Sequence, residues 1–217
     1  AQKIVDLLQD QYCDNILEIG PGTGVLTQFL IPHYKNLKLV EIDTESVAYL
    51  NQKYPEFHKN ILSEDVLKMD FSKVYEGQNF SIIGNFPYNI SSQIVFKALE
   101  YRQYVPFFCG MFQKEVAQRI CENPGTKAYG ILSVLCQTYF HTQYHFSVPP
   151  GVFSPPPKVD PGVLSRNRKD ELKIDFDEKL LFKVVKTSFQ QRRKTLRNSL
   201  KSLNIPKLIL EDSIFDL

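Results

Sequence analysis

Asn85-Phe86-Pro87-Tyr88 stands directly after an apolar run containing Phe80, Ile82 and Ile83. These residue types suit chemistry at an amino nitrogen conjugated to a ring, as on a nucleobase. The lone pair of such an amine is delocalised, so it attacks only when something localises it. The amide oxygen of Asn85 and a carbonyl in a proline-shaped turn at Phe86-Pro87 can accept its two N–H bonds and favour a pyramidal nitrogen. The Tyr88 ring can hold the base by stacking, worth roughly 1–3 kcal/mol per base. The same tetrapeptide also fits a strand ending in a proline turn, with Tyr88 as a partly buried cap.

The residues upstream separate these readings. Ile16-Leu17-Glu18-Ile19 has the pattern of a buried parallel strand, and Gly20-Pro21-Gly22-Thr23-Gly24 turns from it into an apolar-periodic stretch, Val25, Leu26, Phe29 and Leu30. A strand, glycine turn and helix in that order let backbone approach a ligand closely, with helix-start N–H groups facing it. A second strand, Leu37-Lys38-Leu39-Val40, ends in Glu41-Ile42-Asp43. An acid there, about 20 residues after the glycines, is placed to bind ribose hydroxyls. Asp65, followed by Val66, can accept from an adenine amino group. The order of glycine turn, Glu41, Asp65 and Asn85-Phe86-Pro87-Tyr88 matches S-adenosylmethionine methyltransferases. A dehydrogenase has no use for the fourth element.

Composition sets limits. With 217 residues, 43% of them hydrophobic, the chain can bury one full core plus a small appendage. No apolar stretch approaches about 18 residues and Ala1-Gln2-Lys3 lacks a signal-peptide pattern, so a cytoplasmic protein without a membrane partner is expected. Cys13, Cys109, Cys121 and Cys136 show no C-x-x-C spacing and are expected to be buried reduced thiols. His33, His58, His141 and His145 are scattered, and no adjacent acid or cysteine completes a ligand set, so no metal is expected.

Elements that must position these residues alternate through about residue 140, which predicts a mostly parallel sheet covered on both faces. Helices are expected at Ile4–Gln11, Val25–Leu30, Thr44–Lys53 (capped by Thr44), Ser91–Tyr101, Gln113–Cys121 and Gly130–Phe140. Strands are expected at Ile16–Ile19, Leu37–Glu41, His58–Leu62, Phe80–Gly84, Val105–Phe112 and Thr142–Val148. The prolines between Val148 and Asp160 fix a stiff, extended path. Phe153 is the large aromatic in that path, and is expected either beside or across from Tyr88 on a target base, or buried as an anchor. Residues 1–168 carry 15 bases and 16 acids, whereas 169–217 carry 11 and 8. Between Lys186 and Lys201 lie six bases and no acid, on a helix pair expected to contact RNA phosphates through Arg192, Arg193, Lys194 and Arg197.

Several ordered motifs carry a resemblance: Glu18 to Gly24, Asn85-Phe86-Pro87-Tyr88-Asn89-Ile90-Ser91, Gln113-Lys114-Glu115-Val116, Lys127-Ala128-Tyr129-Gly130, Val148-Pro149-Pro150 through Pro155-Pro156-Pro157-Lys158-Val159-Asp160, and Gln191 to Leu200. Together they resemble the KsgA-type small-subunit rRNA adenine dimethyltransferases across most of the chain. The resemblance implies a Rossmann-like class I methyltransferase fold, α/β with a seven-stranded mostly parallel sheet, over residues 1–168. A small basic all-α RNA-binding domain is implied over 169–217. It implies dimethylation, from S-adenosylmethionine, of two adjacent adenines in the 3′-terminal hairpin of small-subunit rRNA, on an immature small ribosomal subunit late in assembly, by a monomer. Glu18, Gly20, Gly22, Glu41, Ile42, Asp65, Val66 and Asn85 are the expected cofactor residues, and Asn85, Pro87, Tyr88 and Phe153 the expected catalytic ones.

Relative to that family the sequence begins after a Gln-x-Phe-Leu type motif that closes over cofactor and substrate, and stops at Leu217 within the expected helical domain, so reduced closure and RNA affinity are expected. Gly162 to Arg168 is a poorer strand than the family's apolar segment. Three alternatives stand beside this reading: a macrolide-resistance type large-subunit rRNA methyltransferase, a DNA adenine methyltransferase, and a non-catalytic RNA-binding assembly factor. The Gln191–Leu200 run disfavours the first, the lack of a separate target-recognition region the second, and intact Glu41, Asp65 and Asn85 to Tyr88 the third.

Overall fold

Asn15–Ile19 (β1) buries Ile16, Leu17 and Ile19 and lies inside the sheet. It pairs in parallel with Asn36–Glu41 (β2) on one side and Ser81–Asn85 (β4) on the other. The computed structural model describes residues 1–9, 13–153, 159–170, 175–191 and 193–206. Ile61–Ser63 (β3) extends the sheet beyond β2, and Phe107–Gln113 (β5) extends it beyond β4, both in parallel. Pro161–Arg168 (β7) then inserts antiparallel between β5 and Phe140–Ser147 (β6), giving the order β3-β2-β1-β4-β5-β7-β6.

Helices cover both faces. Ile16, Leu37, Leu39 and Ile83 pack against Gln2–Val5 (α1), Thr27–Leu30 (α2) and Thr44–Lys53 (α3). Leu17, Ile19, Ile82 and Phe108 pack against Ser91–Glu100 (α5), Lys114–Cys121 (α6), Ile131–Tyr139 (α7) and Glu178–Gln190 (α8). A fully buried Leu, Ile or Phe side chain stabilises by about 1.5–3 kcal/mol. That burial, rather than propensity, holds a four-residue helix such as α2, which is too short to persist alone.

Several elements differ from the sequence expectation. The carboxylate of Asp43, not Thr44, caps α3 and accepts from Ser46 N at 2.8 Å. The first helix is shorter, with α1 passing into a 3-10 turn at Asp6–Leu8. Pro55 opens a 3-10 turn through Asn60, so β3 starts at Ile61 rather than His58. Phe71–Val74 (α4), capped by Asp70, had no counterpart in the sequence reading. Cys109 and Cys136 are buried, whereas Cys13 and Cys121 are half-buried; all four are free thiols.

The poor strand at 162–168 forms β7, and Arg166 explains its composition. Its side chain is fully buried, with the guanidinium 4.2 Å from the Phe108 ring centroid and 4.7 Å from that of Phe140. Nη1 donates to Val95 O at 3.5 Å, while Nε and Nη2 have no hydrogen-bond partner among the described residues. Farther along, α8 buries Val185 in the core it shares with α5 to α7, and Arg102 pairs with Glu178 at its start. Thr195 caps the short helix Leu196–Leu200 (α9). Among the described residues no helix is long and apolar enough to cross a membrane, and no group of three or more His, Cys, Asp or Glu is placed to hold a metal ion.

Candidate active site

Strand order reverses between β1 and β4, and in open α/β sheets ligands bind at the carboxyl ends of the strands beside such a switch. A cavity of about 740 Å³ opens there. Glu18, Gly20 and Gly22 line it from β1 and its turn, Asn85 from β4, Met111 from β5, Phe146 from β6, and Val148, Val152 and Phe153 from the segment after β6. Lys3 and Ile4 of α1 close one side.

The glycine turn is shaped by its own hydrogen bonds. Gly20 has φ +68°, a left-handed conformation that favours glycine. Gly24 N donates to Pro21 O at 2.8 Å, and Gly22 N donates to Glu41 Oε2 at 3.1 Å. The other Glu41 oxygen accepts from Ile42 N (2.9 Å) and Asp43 N (3.1 Å). These contacts correct one expectation: the Gly22 amide is not free for a ligand, and the turn contributes close backbone approach and a rigid link to Glu41. Ile42 is 65% exposed, Val66 is buried, and the Asp65 carboxylate accepts from Leu67 N at 3.0 Å. Glu41, Ile42, Asp65 and Val66 do not themselves line the cavity.

At the end of β4 the chain turns on a buried ring. Phe86 stacks on Phe108 (centroids 4.9 Å apart, planes at 11°) and packs on Phe112 at 4.7 Å, while its N–H donates to Met111 O at 3.1 Å. This anchor leaves Asn85 and Pro87 exposed on either side of it and Tyr88 half-buried. The Pro87 carbonyl accepts from Ile90 N (3.1 Å), and the Tyr88 carbonyl accepts from Ser91 Oγ (3.2 Å). Among the described residues nothing donates to the Phe86 carbonyl and nothing pairs with the Asn85 amide. Gly20 faces this turn: a Cβ there would stand 3.6 Å from both Asn85 O and Pro87 Cδ. Burial raises the Tyr88 phenol pKa above its ordinary value, so the ring is a neutral stacking surface at neutral pH. Phe153 is half-buried and borders the same cavity as Asn85.

Sequence reasoning missed Gly84 and Gly110, which face each other across β4 and β5 beneath the Phe86 ring. A glycine inside the apolar run Phe107 to Phe112 was the available signal, because such a glycine marks close approach of other atoms. The reasoning also placed Glu18 without foreseeing its state. Glu18 is 1% exposed and accepts from Thr27 Oγ1 at 2.7 Å; burial pushes its carboxyl up to about 8 against the lowering effect of the Thr27 hydrogen bonds. Arg193 and Lys194 are exposed and Arg197 half-buried, and none lines the cavity. Arg192 and the run Ser154 to Lys158 lie outside the described residues.

The lining fits S-adenosylmethionine. A turn that admits close backbone approach and a buried carboxyl facing the cavity without a cation match a ligand with positive charge, and the Glu41 carboxylate, outside the lining itself, is tied to that turn through Gly22 N. Sheet order, the single antiparallel strand and this site define a class I S-adenosylmethionine-dependent methyltransferase. Within that class, the chain belongs to the ribosomal RNA adenine dimethylase family, which it matches over residues 1–211. It is 57% identical over 216 residues to ribosomal RNA small subunit methyltransferase A of Flavobacterium johnsoniae, covering all of this chain and 83% of that protein. It is 55% identical to the protein of that name from Parabacteroides distasonis, covering 94% and 76%. Among solved structures, a dimethyladenosine transferase from Plasmodium falciparum superposes with TM-score 0.78 at 29% identity, covering 92% of this chain and 71% of that one. The 23S rRNA methyltransferase ErmE shares the fold (TM-score 0.75, 24% identity, 93% and 80% covered).

Proposed function

We propose that this enzyme dimethylates N6 of two adjacent adenines in the 3′-terminal hairpin of small-subunit rRNA, acting in the cytoplasm as a monomer on an immature small subunit late in assembly. The observation that carries this reading is the pair of unclaimed acceptors, the Asn85 side-chain oxygen and the Phe86 carbonyl, at the edge of the cavity beside Gly20. The names of the relatives at 55–57% identity support the small subunit as the source of the RNA.

The adenine leaves its stack, which costs a few kcal/mol. Tyr88 receives one face, and Phe153 bounds the opposite side. Asn85 Oδ1 and Phe86 O accept the two N6–H bonds, which localises the nitrogen lone pair and fixes its direction. Pro87 holds the turn that aims the Phe86 carbonyl. S-adenosylmethionine, when bound, supplies a methyl group on an electron-poor sulfonium. No general base is required, because the methylated ammonium passes its proton to water. Around this centre Glu18, Gly20, Gly22, Glu41, Ile42, Asp65 and Val66 form the cofactor side, with Asp65 accepting from the adenine of the cofactor. Residues 1–168 carry this chemistry, while Arg192, Arg193, Lys194 and Arg197 in 169–217 contact RNA phosphates.

Transfer of labelled methyl to immature small subunits, with large subunits and naked DNA as parallel acceptors, tests the proposal. The expected product is dimethyladenosine in small-subunit RNA alone. Labelling of large subunits or DNA instead would overturn it.

A further inference from the structure

Glu18 is the one acid of the cavity lining, and it is buried with no ion-pair partner among the described residues. Thr27, itself fully buried, supplies its hydroxyl and backbone hydrogen bonds. The charged groups around it are few. From β2, Glu41 adds negative charge, which opposes ionisation. From α1, Lys3 borders the cavity and is exposed. From α3, Lys53 is spent on Thr23 O at 3.1 Å. β4 and β5 face the cavity with Asn85 and Met111, β6 with Phe146 and Ser147, and the segment after it with apolar residues.

We propose that Glu18 is a proton-coupled sensor of positive charge in this cavity: it is neutral while the cavity holds water and ionises, expelling a proton, when the cationic end of the cofactor enters. This rests on the reading of the cavity as the cofactor site. A buried acid without a cation favours its neutral form, and a cation within a few ångströms reverses that preference. Two groups on S-adenosylmethionine carry such charge, the α-ammonium and the sulfonium, and the spent product S-adenosylhomocysteine keeps the first and lacks the second. With the carboxyl pushed up to about 8 by burial, the protonated form predominates in the free protein at pH 7.

Calorimetric titration of the protein with S-adenosylmethionine and, separately, with S-adenosylhomocysteine, at pH 7 in three buffers of different ionisation enthalpy, counts the protons released. Close to one proton per cofactor is expected at pH 7 and almost none at pH 9.5. Affinity should rise about tenfold from pH 6 to pH 7 and about fivefold from pH 7 to pH 8. Glu18→Gln keeps an acceptor for Thr27 and should lose both effects, leaving only the titration of the ligand's own amino group. Release with both ligands places the α-ammonium opposite Glu18, and release with S-adenosylmethionine alone places the sulfonium there; either result supports the proposal. Binding with the same heat in every buffer overturns it and leaves the cofactor site standing. Failure of both ligands to bind overturns the site reading as well.

Discussion

The Phe86 ring occupies the space that a side chain on Gly110 would need. A Cβ on Gly110 would stand 2.4 Å from Phe86 Cε2 and 2.2 Å from Gly84 O, closer than real contacts allow. Phe86 in turn holds Asn85 and Pro87 at the cavity edge. Gly110→Ala should therefore displace the ring, cost about 1–3 kcal/mol of stability as overpacking does, and reduce methyl transfer by moving Asn85. Urea unfolding beside a methyl-transfer assay measures both. Unchanged stability and rate would contradict the contact.

Arg166 makes the opposite prediction. A guanidinium held between Phe108 and Phe140, with two nitrogens that find no hydrogen-bond partner among the described residues, has lost its water without full compensation. Arg166→Leu removes that cost and fills the site with apolar volume, and replacing even a paired buried charge by apolar volume is often neutral or stabilising by about 1–4 kcal/mol. The thermal midpoint should rise. A fall would show that the cation–π contacts outweigh the desolvation.

Much of the architecture was legible because local chemistry and tertiary burial agree. The period of Thr44 to Lys53 and the apolar runs of β1, β2, β4 and β5 gave elements within one or two residues of those observed. The exceptions are places where contacts distant in sequence decide. Arg166 disguised β7, whose place between β5 and β6 is set by pairing on both sides rather than by its own composition. Asp43 displaced Thr44 as cap because an extended backbone at Asp43 aims its carboxylate at Ser46 N. At the site, Gly20, Gly22, Asn85 and Phe153 were readable as motif residues, and the cavity brings them together. Gly110 left a trace as a glycine inside an apolar run, but the role it shares with Gly84 follows from the register that sets them opposite each other.

Stability should depend on pH through Glu18. Its folded carboxyl is raised to about 8 from an ordinary 4.5, so between those values the folded state holds a proton that the unfolded chain releases. The stability of the cofactor-free protein therefore falls as pH rises from about 5 to about 8, then levels. Glu18→Gln should flatten that part of the curve. Urea midpoints from pH 5 to pH 9 for both proteins provide the check, and parallel curves would contradict it.

Arg193 and Lys194 are exposed on the segment before α9. Replacing both by Ala should weaken binding to rRNA of any sequence and lower the slope of log affinity against log salt by about one unit per lost phosphate contact. Methyl transfer at saturating RNA should be preserved. An unchanged slope would make these bases an ordinary solvated face.

The central claim is that Asn85 acts on the target amine rather than on RNA affinity. The single-turnover rate of Asn85→Ala, measured at saturating S-adenosylmethionine on immature small subunits beside the dissociation constant for the same subunits, addresses it directly. The rate should fall by about 10²–10³, the scale on which one preorganised hydrogen-bond partner of a reacting group acts, with RNA binding essentially unchanged. An equal loss in rate and binding, or a rate close to that of the unaltered enzyme, would contradict the assignment.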